Sequence, residues 1–304
     1  MTPLPRAGRP LITHMSRLLE RKKMASFLVG LIGAGIGPSL SPPLHEREAA
    51  HHGLPYVYRL LDTDRLGLDV GGLVRTARRF GFDGLNITHP CKQSVIPHLD
   101  ELSPDARMLG AVNTVLFDGE RAVGHNTDWT GFAESFARGL PEAPTHRVVQ
   151  LGAGGAGAAV AHAMLTMGAD LVTIVDVDPV RARALAEKLA GRFGAERACH
   201  AIASELPELL AAADGLVHAT PTGMAHHPGM PLPAGLLHPG LWVADIVYRP
   251  LETELLRQAR ALGCRTLDGG GMVVFQAAHA FRLFTGREPD AERMLAHLTE
   301  LLAV

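Results

Sequence analysis

The chain carries little excess charge of either sign and few cysteines. Its 29 lysines and arginines nearly balance 31 aspartates and glutamates, which leaves a net charge of −2. This balance gives no overall attraction to nucleic acid or to anionic membranes. The three cysteines (Cys91, Cys199 and Cys264) are odd in number and far apart. They argue against a disulfide framework and favour a reducing compartment, so we expect a cytoplasmic protein.

Long apolar runs and metal-ligand spacings are also missing. No stretch offers the about 18 uninterrupted apolar residues of a membrane span, and the basic first 23 residues lack the apolar segment of a signal peptide. We predict that residues 1–24 form a flexible basic extension or precede a start at Met24; an RNA-binding arm is the less favoured interpretation. His226 and His227 are adjacent and have no third ligand at metal spacing, so we predict no metal site.

The pattern that remains is one of strands alternating with helices. The chain is long enough for two domains, and its apolar fraction of 47% is ordinary for a globular protein. Helices are predicted over 42–53 and 66–81 among strands in the first 125 residues, and this spacing implies parallel pairing. A second alternating series starts at Arg147, after a polar junction at 139–147. The predicted strands of the first series are 27–33, 56–62, 82–88 and 111–117; those of the second are 147–151, 171–176, 197–203, 215–220, 241–247 and 264–268. The helices of the second series are predicted over 155–168, 179–192 and 251–262.

The glycine-rich stretch GAGGAG (152–157) follows a strand and opens an alanine-rich helix. Gly152, Gly154 and Gly157 have the dinucleotide-binding spacing, which permits a tight turn, close approach of a pyrophosphate and close helix packing. Asp176 ends the next strand, 19 residues beyond Gly157. A carboxylate there accepts hydrogen bonds from ribose hydroxyls and repels a 2′-phosphate, so it favours NAD over NADP. Arg181 opposes this preference, because an arginine nearby can accommodate that phosphate.

An earlier glycine-rich stretch, LVGLIGAGIGPSL (28–40), fails the same test. Pro38 stands where the third glycine is required, and two serines, Ser39 and Ser41, follow just before a helix. One serine could simply cap that helix. Two serines beyond a buried strand could instead bind a substrate carboxylate or hydroxyl.

Polar residues also crowd the predicted carboxyl ends of strands, where open α/β sheets bind ligands. Thr88 and Lys92 lie in the stretch LNITHPCKQ (85–93), and Asn113 lies in GAVNTV (110–115). Asp128 lies in the third polar stretch, HNTDWTGF (125–132). A lysine and an aspartate form a plausible proton-transfer pair for a hydroxyl that is being oxidised. Taken singly, Lys92 could be a solvated surface lysine and Asp128 a helix N-cap.

Eight stretches, in order, resemble the shikimate dehydrogenases, in particular their quinate/shikimate branch. They span about residues 27 to 285 and are SLSP (39–42), NITHPCK (86–92), GAVNTV (110–115), HNTDWTGF (125–132), GAGGAG (152–157), HATPTGM (218–224), DIVYRPLETELL (245–256) and GGGMVVFQAAHAF (269–281). The resemblance implies a two-domain α/β fold. A mainly parallel substrate domain (25–125 plus the returning C-terminal helices 272–304) would accompany a Rossmann domain (126–271).

The same resemblance implies an NAD(P)-dependent oxidation of shikimate to 3-dehydroshikimate. Lys92 and Asp128 would be the catalytic pair. The substrate carboxylate would be held by Ser39 and Ser41 with help from Tyr248, and the ring hydroxyls by Thr88, Asn113 and Gln276. The cofactor would be bound by Gly152, Ala153, Gly154, Gly155, Ala156, Gly157, Asp176, Arg181, Thr220, Val247 and Gly269.

Departures from the family pattern bear on the cofactor and the substrate. Cys91 replaces the aromatic residue that often precedes the lysine, and DVDPVR (176–181) resembles the NAD users. Ser41 favours shikimate, since quinate users can have threonine there, but quinate or an amino-shikimate remains an alternative. A non-catalytic quinate or shikimate sensor is the alternative from another class, which Lys92 and Asp128 together disfavour. We expect a monomer or homodimer with a small-molecule substrate and no nucleic-acid partner.

Overall fold

The computed structural model describes residues 26–303. The predicted basic extension at 1–24 lies outside the described residues. Two six-stranded sheets organise the chain, with the first built before residue 126 and the second from residue 147 onward. The domain boundaries proposed above stay predictions.

The first sheet is mixed rather than parallel. Its strand order is β2-β1-β3-β5-β6-β4. The strands are β1 (Phe27–Gly33), β2 (Tyr56–Asp62), β3 (Gly84–Ile87), β4 (Glu101–Leu102), β5 (Thr114–Asp118) and β6 (Arg121–His125). Strand β1 runs parallel to β2 and β3, whereas β5 runs antiparallel to both β3 and β6. Our expectation of parallel pairing was therefore wrong for β5, because only Gly119 (φ 61°) and Glu120 separate it from β6, and so short a link makes a hairpin.

The hairpin decides where Asn113 lies. Since β5 is antiparallel to β3, the residue before β5 meets the carboxyl end of β3, and Thr114 is paired with Asn86 there. We expected Asn113 at the carboxyl end of a strand. In the structure it instead comes directly before the first residue of β5. It nevertheless lies at the same edge of the sheet as Thr88 and Lys92.

Short helices connect these strands. They are α1 (Ser41–His51), α2 (Thr63–Leu66), α3 (Val70–Arg79), α4 (Cys91–Ser94) and α5 (Pro104–Leu109). The helix predicted over 66–81 is α3 and begins later than expected, because α2 ends at Leu66, the first residue of the predicted range. Gly67 takes a left-handed conformation (φ 62°) that ends α2, and Asp69 starts α3 by accepting a hydrogen bond from the Gly72 N–H at 2.5 Å.

The second sheet is wholly parallel and doubly wound, with the order β12-β11-β10-β7-β8-β9. Its strands are β7 (Arg147–Leu151), β8 (Leu171–Val175), β9 (Ala198–Ala201), β10 (Gly215–His218), β11 (Trp242–Asp245) and β12 (Arg265–Leu267). Its helices are α7 (Gly155–Thr166), α8 (Pro179–Phe193), α9 (Leu206–Ala211) and α10 (Glu254–Ala261). The strand order reverses between β7 and β10, which is where doubly wound sheets bind ligands.

Three further helices complete the fold. They are α6 (Asp128–Gly139), α11 (Gly270–Thr285) and α12 (Ala291–Leu302). Helix α6 lies against α11 at Gly131, where a Cβ would come within 2.6 Å of the Gln276 nitrogen. Ala280 and Phe284 of α11 pack with Val29 and Leu31 of β1. The C-terminal helices therefore return to the first sheet, as predicted.

A buried ion pair fixes α12 to α1. The Arg293 guanidinium lies 2.6 Å from the Glu48 carboxylate, whose side chain is fully buried. Burial alone would raise the pKa of Glu48, but hydrogen bonds from Arg293 and from the backbone, and the charge of Arg293, outweigh it and lower that pKa. Within residues 26–303, no helix is long and apolar enough to cross a membrane.

Candidate active site

The predicted catalytic pair is formed. Lys92 lies in α4, just beyond β3, and Asp128 is the first residue of α6, just beyond β6. The Lys92 Nζ is 2.7 Å from the Asp128 Oδ2, and the side chains are 20% and 7% exposed. Lys92 is therefore not a solvated surface lysine. Thr127, rather than Asp128, is the N-cap of α6.

Asn113 holds the Asp128 carboxylate from behind, and Asn126 holds the Asp128 backbone. The Asn113 Nδ2 donates to the Asp128 Oδ1 at 2.9 Å and lies 3.5 Å from the Gln276 Oε1. The Asp128 N–H donates to the Asn126 Oδ1 at 3.1 Å. One carboxylate oxygen is thus occupied by Asn113, and the other is directed at Lys92. The arrangement presents an ammonium and a carboxylate at one point, where a proton can be exchanged with a bound hydroxyl.

The two serines lie together at the start of α1. The Ser39 Oγ is 3.2 Å from the Ser41 Oγ, and it also accepts a hydrogen bond from the Ser41 N–H at 3.2 Å. The N-cap of α1 is Leu40, which makes no side-chain capping bond. Neither serine is a simple N-cap, and both hydroxyls are half-buried.

Contacts of neighbouring residues bring Thr88 and Tyr248 near the serine loop, which is the loop 34–40 that contains Ser39 and leads to Ser41. The Ala34 N–H donates to the His89 carbonyl at 3.1 Å, and a Cβ at Gly33 would come within 2.4 Å of the Thr88 methyl group. Next to Tyr248, the Arg249 guanidinium donates to the Pro38 carbonyl at 2.7 Å. Burial raises the pKa of the Tyr248 phenol. A loop of the second half of the chain thus meets the serine loop of the first.

The second glycine loop has the backbone geometry that a dinucleotide requires. Gly152 has a φ of 103°, and a Cβ there would lie 2.5 Å from the Ala219 carbonyl oxygen. A Cβ at Gly157 would lie 2.3 Å from the Gly152 carbonyl oxygen. Gly154 is the N-cap of α7 and supplies no capping side chain, so the first N–H groups of the helix are open to an anion. Ala153, Gly155 and Ala156 are partly exposed along the same loop. The loop fits the phosphates of a dinucleotide.

Asp176 and Arg181 both lie beside this loop. The Asp176 Oδ2 accepts a hydrogen bond from the Ala153 N–H at 2.7 Å, and the Oδ1 accepts one from the Asp178 N–H at 2.9 Å. The Arg181 guanidinium comes within 3.6 Å of the position that a Cβ would take at Gly154. A negative and a positive group therefore both lie beside the glycine loop.

Thr220, Val247 and Gly269 come together beyond β10 and β11. A buried pair that sequence reasoning missed, His218 and Asp245, links the first two of them. The His218 Nε2 lies 2.5 Å from the Thr220 Oγ1, and the Asp245 Oδ1 accepts a hydrogen bond from the Val247 N–H at 3.0 Å. The Gly269 N–H donates to the Val247 carbonyl at 3.3 Å. The signal in the sequence was a polar residue at the end of each of two otherwise apolar strands.

The Lys92–Asp128 pair lies beside the glycine loop (152–157). The Cδ of Lys92 lies 3.9 Å from the position of a Cβ at Gly155. A group bound on the loop would therefore lie against the lysine.

Comparison with known proteins identifies the family. Residues 31–115 match the model described as the shikimate dehydrogenase substrate binding domain, and residues 269–299 match that of the shikimate 5′-dehydrogenase C-terminal domain. A shikimate dehydrogenase (NADP+) of Streptomyces avermitilis is 73% identical over 279 residues, which cover 91% of this chain and 96% of the relative. The chain belongs to the shikimate dehydrogenase family.

Some other relatives of this chain are named for NAD+ and not for NADP+. A quinate/shikimate dehydrogenase (NAD+) of Corynebacterium efficiens is 52% identical, with 91% of this chain and 99% of the relative covered. The structure of quinate dehydrogenase from Corynebacterium glutamicum in complex with NAD has a TM-score of 0.86 at 48% identity, with 90% and 99% coverage. The predicted two-domain α/β fold and the predicted enzyme class are confirmed: the protein is an NAD(P)-dependent oxidoreductase.

Proposed function

We propose that this protein oxidises shikimate reversibly to 3-dehydroshikimate. The observation that carries the proposal is the Lys92–Asp128 pair at 2.7 Å, which faces a glycine loop built for a dinucleotide. The family relationship supports the substrate class, because its members are named for shikimate or quinate.

The chemistry divides between the cofactor and the protein. NAD(P), when bound, supplies the hydride acceptor. During oxidation the Lys92 ammonium passes one proton to the Asp128 carboxylate and takes up the hydroxyl proton, and during reduction both transfers run in reverse. Asn113 keeps Asp128 in place while the proton moves, because its Nδ2 occupies the oxygen that does not face Lys92.

Substrate binding falls to the residues around this pair. Ser39 and Ser41 hold the carboxylate, with Tyr248 contributing its phenol from the facing loop. The hydroxyls of the two serines are within hydrogen-bond distance of each other, so they turn toward the carboxylate when it binds. Thr88 and Gln276 join Asn113 in orienting the ring hydroxyls.

We propose that NAD is preferred over NADP. Each Asp176 oxygen accepts one backbone hydrogen bond and has capacity for another from a ribose hydroxyl. The carboxylate would repel a 2′-phosphate at this position, and the exposed Arg181 offsets only part of that repulsion.

Quinate is the second candidate substrate, since relatives named for quinate/shikimate are about half identical to this chain. The deciding experiment measures initial rates with shikimate and with quinate, each with NAD+ and with NADP+. The proposal expects the highest kcat/KM for shikimate with NAD+. A higher value for quinate would favour the second candidate, and a higher value for NADP+ would contradict the role given to Asp176.

A further inference from the structure

A buried polar network lies between the carboxyl ends of β10 and β11. His218 and Asp245 are register partners on these adjacent parallel strands, and they are 0% and 2% exposed. Their Nδ1 and Oδ1 atoms lie 2.9 Å apart. A buried pair of this kind needs a hydrogen-bond partner for every polar atom, and each polar side-chain atom of His218 and Asp245 has one.

The network fastens the loops that follow both strands. Asp245 accepts two further hydrogen bonds, from the Val247 N–H at 3.0 Å and from the Thr253 hydroxyl at 2.7 Å. On the other strand, His218 reaches Thr220, whose Oγ1 also accepts a bond from the Thr222 N–H at 3.3 Å. One pair of side chains thus sets the conformation of two loops.

These loops lie beside the dinucleotide loop. His218 is the register partner of Leu151, the residue before Gly152. The Ala219 N–H donates to the Leu151 carbonyl at 2.8 Å, and Thr220 comes directly after. Thr220 and Val247 are therefore held next to the site proposed for the cofactor.

The positions of the protons follow from the partners. A carboxylate only accepts hydrogen bonds, so the His218 Nδ1 carries a proton and donates it to Asp245. In the neutral ring, Nε2 then has only a lone pair, and the Thr220 hydroxyl donates to it. The Thr220 oxygen is left to accept, so it can bind a donor such as the amide NH₂ of a nicotinamide.

We infer that His218 and Asp245 are positioning residues for the cofactor, which act by holding Thr220 as a hydrogen-bond acceptor beside the glycine loop. The inference rests on the proposed use of NAD(P). Neither side chain touches the substrate or the cofactor in this account.

The test is a double-mutant cycle in cofactor affinity. His218→Asn retains an N–H that can donate to Asp245 but no longer reaches Thr220, and Thr220→Val removes the hydroxyl itself. Dissociation constants for NADH and NADPH are measured by calorimetry, together with the melting temperature of each variant. Thr222→Val is the matched control, because it makes the same change two residues along the loop.

The inference expects each single variant to weaken binding by about 2- to 12-fold, the value of one hydrogen bond. The double variant should bind the dinucleotide no more weakly than the weaker-binding single variant, since both changes remove the same interaction. The control should bind as the wild type does.

An unchanged dissociation constant in His218→Asn, with only the melting temperature lowered, would overturn the inference. A double variant that loses the full product of the two factors would also overturn it. Should His218→Asn fail to fold, equal affinities of Thr220→Val and Thr222→Val would refute it instead. A wild type that binds neither dinucleotide would contradict the proposed function itself.

Discussion

Replacing Lys92 by methionine removes the ammonium while keeping an unbranched stem of similar length. In the structure, that ammonium lies 2.7 Å from the Asp128 carboxylate, and the Lys92 side chain is 20% exposed. Asp128 keeps its bonds from Asn113 and to Asn126 in the variant, so the carboxylate stays in position. The change therefore isolates the proton-transfer group.

The expected loss follows from what one acid–base group contributes. We predict that kcat falls by about 10²–10⁴, which raises the barrier by about 3–5 kcal/mol. The free energy of unfolding should fall by about 3 kcal/mol, the lower end of the cost of removing one partner of a buried ion pair, because Asn113 still donates to the Asp128 carboxylate. The methionine stem still lies beside Gly155, so the NADH dissociation constant should change by less than about threefold, or ~0.7 kcal/mol.

The assay is steady-state oxidation of shikimate, with calorimetric NADH binding on the same preparation. Lys188→Met is the control, because Lys188 is the other lysine among residues 26–303 and lies on α8. It should keep the wild-type kcat. A double variant with Asp128→Asn should lose less than the product of the single losses, because both groups act on one proton. A Lys92→Met enzyme with near-normal kcat would refute the reasoning.

Three further predictions concern the serine loop, the choice of cofactor and the stability of the fold. Ser41→Ala should raise KM for shikimate by about 10- to 150-fold, from the loss of a hydrogen bond worth about 1.5–3 kcal/mol to a charged group; an unchanged KM would mean that the loop binds no carboxylate. Asp176→Asn should raise kcat/KM with NADP+ relative to NAD+, and steady-state rates with both cofactors check it, an unchanged ratio being the adverse result. Glu48→Gln should lower the free energy of unfolding by about 3 kcal/mol at neutral pH, because it breaks the buried pair with Arg293, whereas the exposed Arg47→Ala should cost about 0–1 kcal/mol. The pKa of Glu48 is lowered in the folded protein, so the stability that its carboxylate contributes is complete above the ordinary glutamate pKa of about 4.3. That stability is lost as pH falls through the lower pKa of the folded state. Denaturant titrations across this range should show the difference in unfolding free energy between Glu48→Gln and wild type shrinking as pH falls.

The glycine loop could be read from the sequence because its geometry is local to the backbone. Gly152 and Gly157 could be recognised because a side chain at either position would collide with a carbonyl oxygen nearby, and the structure has both close approaches. Pro38 excluded the first glycine loop from the same role for an equally local reason. Local chemistry of this kind is readable without the fold.

The parts that were missed depend on which strands become neighbours. Apolar patterning does not reveal strand direction, so β5 was expected to pair in parallel, and its hairpin partner β6 was not predicted as a strand. The His218–Asp245 pair joins residues 27 positions apart in the chain, which meet only because β10 and β11 are adjacent. Each residue alone resembles an ordinary polar residue at the end of a strand, and only their register makes them a pair.

The central claim is that a dinucleotide bound on the facing loop takes the hydride from a ring carbon of shikimate, while the Lys92–Asp128 pair takes up the hydroxyl proton. The most direct test is the wild-type rate of reduced-nicotinamide formation from shikimate, compared with quinate, in the presence of NAD+ and of NADP+. The account predicts turnover of shikimate with the highest kcat/KM in the presence of NAD+, and loss of that turnover in Lys92→Met. A folded wild type that binds the dinucleotide but turns over neither acid would contradict it.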